Sequence, residues 1–143
     1  MALLTGAILV VLTILVHHEV LRGMYIGISR PVVRPRVRLL LGVFGALAAH
    51  VMEILLFSLG YWVLVRNGTY GNLVGADGAS SRDVLYFSFV TYASLGYGDV
   101  TPEGSLRFIA ALEVLCGLLM LAWTASFLFE LIRTSWRHYG GHG

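Results

Sequence analysis

The sequence predicts an all-α membrane protein, with three transmembrane helices and a short re-entrant helix between the second and third. Three observations carry that reading. Of 143 residues, 57% are hydrophobic and 13% charged, against about 45–50% and about 25% in ordinary soluble chains. With a mean hydropathy of +0.79, the chain has too little polar surface to cover a soluble fold. Three apolar runs approach the roughly 20 residues a helix needs to cross hydrocarbon. All ten basic residues are arginine, and they sit between those runs. That spacing is a topology signal, not the clustered basic face of a nucleic-acid binder, so no nucleic-acid partner is expected. The single cysteine, Cys116, excludes a disulfide framework.

The first run, 1–21, carries no charge up to Val16 and ends through His17, His18, Glu19 and Leu21. It lacks the basic start and small-x-small cleavage site of a signal peptide, so it reads as an N-terminal transmembrane helix. A basic loop follows over 22–38, with Arg22, Arg30, Arg34, Arg36 and Arg38 and no acid after Arg22. Pro31 and Pro35 are expected to break any long helix there. The second run supplies an outer helix over 39–65, interrupted only by His50 and Glu53. Residues 66–83 are polar and turn-rich. The apolar piece after them, 84–93, is too short to span, which is the pattern of a re-entrant segment. Ser80 and Asp83 have capping-box spacing and predict a helix over about 82–93. The last helix covers about 105–133, with Glu113 inside its apolar run, and 134–143 form a tail. Arginine excess assigns the 22–38 loop and the tail to the cytoplasm, and the N-terminus and 66–107 to the outside.

The re-entrant helix would aim its C-terminal end, which carries partial negative charge, into the membrane, where a cation would be stabilised. Next comes Thr91-Tyr92-Ala93-Ser94-Leu95-Gly96-Tyr97-Gly98-Asp99. Alternating glycines permit backbone angles closed to other residues. Successive carbonyls can then face one way and replace the water shell of an alkali cation.

Ser94 to Asp99 closely resembles the potassium-channel filter Thr-Val-Gly-Tyr-Gly-Asp. Tyr86-Phe87-Ser88, Thr101-Pro102 and Gly117 also resemble the small bacterial ion channels with one pore loop between two helices. The likeness covers roughly 39–133 as a pore domain, and the first helix lies outside it. It implies a re-entrant pore helix and selectivity-filter loop in a tetrameric pore, since one loop supplies only one wall. It implies K+ as permeant ion at Ser94, Leu95, Gly96 and Tyr97, with Gly98 completing the ribbon, and no organic cofactor. Ser94 keeps the hydroxyl of the family's threonine; Leu95 keeps the carbonyl but changes the packing behind it. Asp99, Tyr86, Thr91 and Glu113 are expected to support the filter, with Tyr86 donating to Asp99. The expected setting is the bilayer of the inner (plasma) membrane, with this chain as its own partner in a homotetramer.

The remaining polar residues leave alternatives open. His50 and Glu53 share a helix face and suit a buried brace to Ser88, Thr91 or Tyr92, a pH sensor, or a metal site. Two ligands are few for a transition metal. Glu113 suits bracing the filter from behind or lining the cavity. His17, His18 and Glu19 suit anchoring at the inner interface or pH sensing, and Trp123 suits packing between subunits. Gly117, Leu121, Ala125 and Phe129 repeat every four residues and, with Leu118, would line a cavity with Gly117 as hinge and Phe129 as gate; plain packing of that face is the alternative. The function expected is passive K+ conduction. Its alternatives are a weakly selective monovalent cation channel and a metal-binding protein or enzyme, for which no nucleophile or oxyanion site is visible.

Overall fold

The computed structural model describes residues 2–28, 34–75 and 80–137. In chain order the elements are α1 (Ala2–Ile28), α2 (Pro35–Asn67), β1 (Leu73–Val74), α3 (Ser81–Tyr92), β2 (Thr101–Pro102) and α4 (Leu106–Arg137). Three segments are long and apolar enough to cross a membrane, Leu3–Gly27, Arg36–Asn67 and Leu106–Thr134. This is an all-α membrane protein. The loop residues 29–33 and 76–79, the tail 138–143 and the side chain of Trp136 lie outside the described residues.

Two boundaries differ from the sequence reading for local reasons. α1 continues past Leu21 to Ile28, because the residues beyond it are apolar apart from Arg22. α2 starts at Pro35, which occupies its first turn. Proline is pre-set for that position, where its missing N–H costs nothing. A residue expected to break a helix therefore begins one. α2 ends where Gly68 turns left-handed at φ 63° and its N–H donates to the Val65 carbonyl. α3 has the expected cap: the Asp83 N–H donates to Ser80 Oγ at 3.3 Å, and the Ser80 hydroxyl donates to Asp83 Oδ2 at 2.8 Å.

β1 and β2 form a two-stranded antiparallel ladder, pairing Leu73 with Pro102 and Val74 with Thr101. It ties the loop after α2 to the segment after the glycine motif. Gly75, at φ 91°, packs against the Asp99 carbonyl so closely that a side chain there would collide with it.

α3 lies between α2 and α4, while α1 packs along both long helices. The fit of α1 depends on small residues. A Cβ on Gly60 would stand 2.6 Å from Leu9 Cδ1, and one on Gly6 would stand 2.9 Å from Leu112 Cδ1. Close approach of this kind is how helices gain dispersion contacts inside lipid. One apolar cluster joins all four helices and β1, including Leu9, Phe57, Tyr61, Leu73, Phe87, Ile109 and Met120. Tyr61 and Phe87 meet edge-on, with ring centroids 5.1 Å apart.

Candidate functional site

The site begins where α3 ends. Backbone bonds fold the chain tightly off the helix: Ser94 N–H donates to the Thr91 carbonyl and Leu95 N–H to the Val90 carbonyl, both at 2.9 Å. Three alternate residues then take positive φ, Ser94 at 56°, Gly96 at 54° and Gly98 at 81°. Serine in that region is strained, at a cost of about 1–2 kcal/mol. At Gly96 and Gly98 the space beside the backbone is open within one chain, so the angle, not crowding, demands glycine there. Residues 93–99 are all exposed, Leu95 at 56% and Tyr97 at 68%.

The far end of this ribbon is clasped. The Tyr86 hydroxyl donates to Asp99 Oδ2 at 2.7 Å, and the Val100 N–H donates to Asp99 Oδ1 at 3.0 Å. The phenol beside Asp99 holds its carboxyl below the usual carboxylate range.

Behind α3 stands a buried carboxyl. Glu113 of α4 accepts from the Tyr61 hydroxyl at 2.6 Å, and its other oxygen lies 2.5 Å from Ser88 Oγ. Ser88 Oγ is also 2.9 Å from the Ile54 carbonyl. Glu113 thus sits between α2 and α3, away from the exposed face of α4. Tyr61 is a partner that sequence reasoning missed; a phenol inside an apolar run, which usually finds a hydrogen-bond partner when buried, was the available signal.

A second buried cluster lies at the C-terminal end of α3. His17 Nδ1 is 2.7 Å from Glu53 Oε1, and the Tyr92 hydroxyl donates to Glu53 Oε2. His50 Nδ1 is 2.9 Å from the Tyr92 oxygen. Thr124 Oγ1 lies 3.3 Å from His17 Nε2 and 3.0 Å from His50 Nε2. Of the partners expected for His50 and Glu53, Tyr92 makes the contact. Thr91 contributes its backbone carbonyl to the turn, and Ser88 belongs to the Glu113 cluster.

Two expectations need correction. His17 is not an interfacial anchor; it is fully buried, because α1 continues for more than two turns beyond it. Gly117 does not share the exposed face of Leu118, Leu121, Ala125 and Phe129. It is buried, and a Cβ there would collide with the Tyr92 carbonyl. Four-residue spacing drifts by about 40° per step around a helix of 3.6 residues per turn, so a face begun at Gly117 has rotated well away by Phe129. Trp123 meets α1 of its own chain, its ring centroid 5.3 Å from that of His17 and 6.1 Å from that of His18, and remains 39% exposed, which leaves room for a neighbouring subunit to pack on it.

The Gly117 contact also sets a depth. Gly117 lies 11 residues into α4 (117 − 106). At 1.5 Å per residue that is about 16 Å along the helix, so the Tyr92 carbonyl lies at membrane depth. The irregular ribbon from Ala93 onward starts there.

A family profile described as "Ion channel" matches residues 39–134. The chain belongs to this ion-channel family. The match spans α2, α3, the glycine ribbon and nearly all of α4, and leaves α1 outside. Protein LctB of Geobacillus stearothermophilus is 39% identical over 72 residues, covering 46% of this chain and 54% of that protein. The inward rectifier potassium channel Kirbac3.1 of Paramagnetospirillum magnetotacticum is 30% identical over 129 residues, covering 72% of this chain and 44% of that one. A putative potassium channel protein of Rhodopseudomonas palustris is 39% identical over 41 residues, covering 28% of this chain and 10% of that one. The chain thus spans about half the length of the curated relatives it matches first. No solved structure matches it.

Proposed function

We propose that four copies of this chain enclose a potassium-selective pore, with residues 94–98 of each copy forming one wall of the filter. The observation that carries this reading is an irregular, exposed ribbon at membrane depth. Unpaired backbone N–H and C=O groups cannot face lipid, and are tolerated there only against protein or a water-filled cavity. Positive φ at 94, 96 and 98, alternating with ordinary negative φ at 95 and 97, is what a ribbon needs to turn successive carbonyls to one side. Backbone carbonyls of Ser94, Leu95, Gly96 and Tyr97, with the Ser94 hydroxyl, then replace the hydration shell of K+. A single wall cannot surround an ion, so a cyclic homotetramer follows. Names of relatives such as the potassium channel Kirbac3.1 agree with the choice of ion.

In this reading Tyr86 and Asp99 hold the outer end of the ribbon. Glu113, with Ser88 and Tyr61, holds α3 from behind. Leu118, Leu121, Ala125 and Phe129 line the inner passage. The N-terminus and the ribbon face outside, and the C-terminal tail faces the cytoplasm. Liposomes holding only this purified chain test the reading. Potassium efflux that is abolished in Gly96→Ala supports it; wild-type vesicles that stay potassium-tight contradict it.

A further inference from the structure

We propose that His17, His50 and Glu53 form a binding site for one divalent transition-metal ion of the zinc class. The site staples α1 to the outer helix of the pore domain. Sequence spacing offered only His50 and Glu53, too few ligands. The fold brings His17 to them from α1, and one ligand atom from each residue lies within 4.8 Å of the other two. All three residues are buried.

Hydrogen accounting shows what the cluster lacks. Five close contacts join it: His17 to Glu53, Tyr92 to Glu53, His50 to Tyr92, and Thr124 to each imidazole. Two neutral imidazoles bring one hydrogen each, and the Tyr92 and Thr124 hydroxyls bring one each, while an ionised carboxylate brings none. Four hydrogens cannot serve five contacts. The cluster is short of one cation, at the place where the charge of Glu53 is buried in a span.

The geometry favours a metal in that role over a lone bridging proton. Both Nδ1 atoms converge on one carboxylate, at 2.7 Å for His17 and 3.4 Å for His50. A tetrahedral ion with ligands at about 2.0–2.1 Å separates them by about 3.3 Å, so small rotations suffice. Both Nε2 atoms meet the same Thr124 hydroxyl. Holding the far nitrogen of each ring is how outer partners orient metal-bound histidines. Two imidazoles and a carboxylate suit zinc and its first-row neighbours. Helical bundles build metal sites from an i, i+3 carboxylate–imidazole pair on one helix, there in the order Glu-x-x-His, with further ligands from other helices; His50 and Glu53 have the same spacing in reverse order. Tyr92 contacts the cluster and precedes Ser94 by two positions, so the ion would also join α1 to the end of the pore helix.

The test is metal content of the full chain, purified in detergent, equilibrated with Zn2+ and desalted. It reads metal directly, so its outcome is independent of whether the chain conducts potassium. The expected result is about one Zn2+ per chain, the single-ion stoichiometry of a mononuclear site. It falls at least about tenfold in His17→Gln and in His50→Gln, and is unchanged in His18→Gln and in a His138→Gln/His142→Gln double variant. Should the cluster variants not give monodisperse protein, Co2+ substituted into the wild type decides: intense visible bands of a tetrahedral site support the proposal, and their absence overturns it. Wild-type protein without retained Zn2+, which would mean that a proton alone fills the gap, also overturns it. So does Zn2+ that survives the His17 and His50 substitutions or is lost with the tail histidines.

Discussion

Single atoms decide how closely the parts of this chain approach. Gly117 lets α4 press against the carbonyl of Tyr92, the last residue of α3. Gly117→Ala gains about 0.8–1.0 kcal/mol of helix propensity, but the new methyl pushes on backbone that cannot rotate aside. Overpacking of that kind costs about 1–3 kcal/mol, so the variant should unfold at lower temperature and lose potassium flux. A hinge glycine facing open space would leave the unfolding midpoint unchanged. Ser88 Oγ stands between Glu113 and the Ile54 carbonyl, and its one hydrogen serves one of them at a time. Ser88→Ala leaves Glu113 Oε1 without its partner, at about 1–3 kcal/mol, and thermal unfolding of the purified protein reads that loss. At the outer end, Tyr86 lowers the protonation range of Asp99. A lowered carboxyl stabilises the fold above its unfolded value and loses that contribution as pH falls through the folded value. Tyr86→Phe raises the folded value, so acid should suppress flux at a higher pH in the variant than in the wild type. Identical acid profiles would show that the clasp has no part in it.

At the scale of elements, α4 carries two faces with different duties. Glu113, Cys116, Gly117, Met120 and Thr124 are buried against α1, α2 and α3, while Leu118, Leu121, Ala125 and Phe129 are exposed. Ala125→Leu adds bulk to the exposed face and should reduce flux severalfold with little effect on the unfolding midpoint; normal flux would remove that face from the passage. The long elements were legible because hydropathy and length alone define them, as over 39–65. The Ser80–Asp83 cap and the glycine ribbon were legible because each depends on residues close in sequence. What joins distant elements was not. His17 meets Glu53 across 36 positions and Tyr61 meets Glu113 across 52, and no periodicity carries such pairings. The strands are two residues each, too short for any alternation to register. Pro35 was misread because a proline breaks a helix interior but suits its first turn.

At the scale of the whole molecule, the two sides of α3 differ. Three helices bury buttressing clusters on one side of α3, while the ribbon after it stands exposed at membrane depth. α1 is fastened to that body by Leu9 on Gly60 and by His17 on Glu53, so it belongs to the fold although the family match begins at residue 39. The proposed pore requires four such ribbons to make a filter that prefers K+. Reversal potentials in planar bilayers, with K+ on one side and Na+ on the other and only the purified chain present, test it most directly. A reversal potential displaced strongly toward the K+ equilibrium value, with no current in Gly96→Ala, is the expected result. A reversal potential near zero, or current that survives Gly96→Ala, would contradict it.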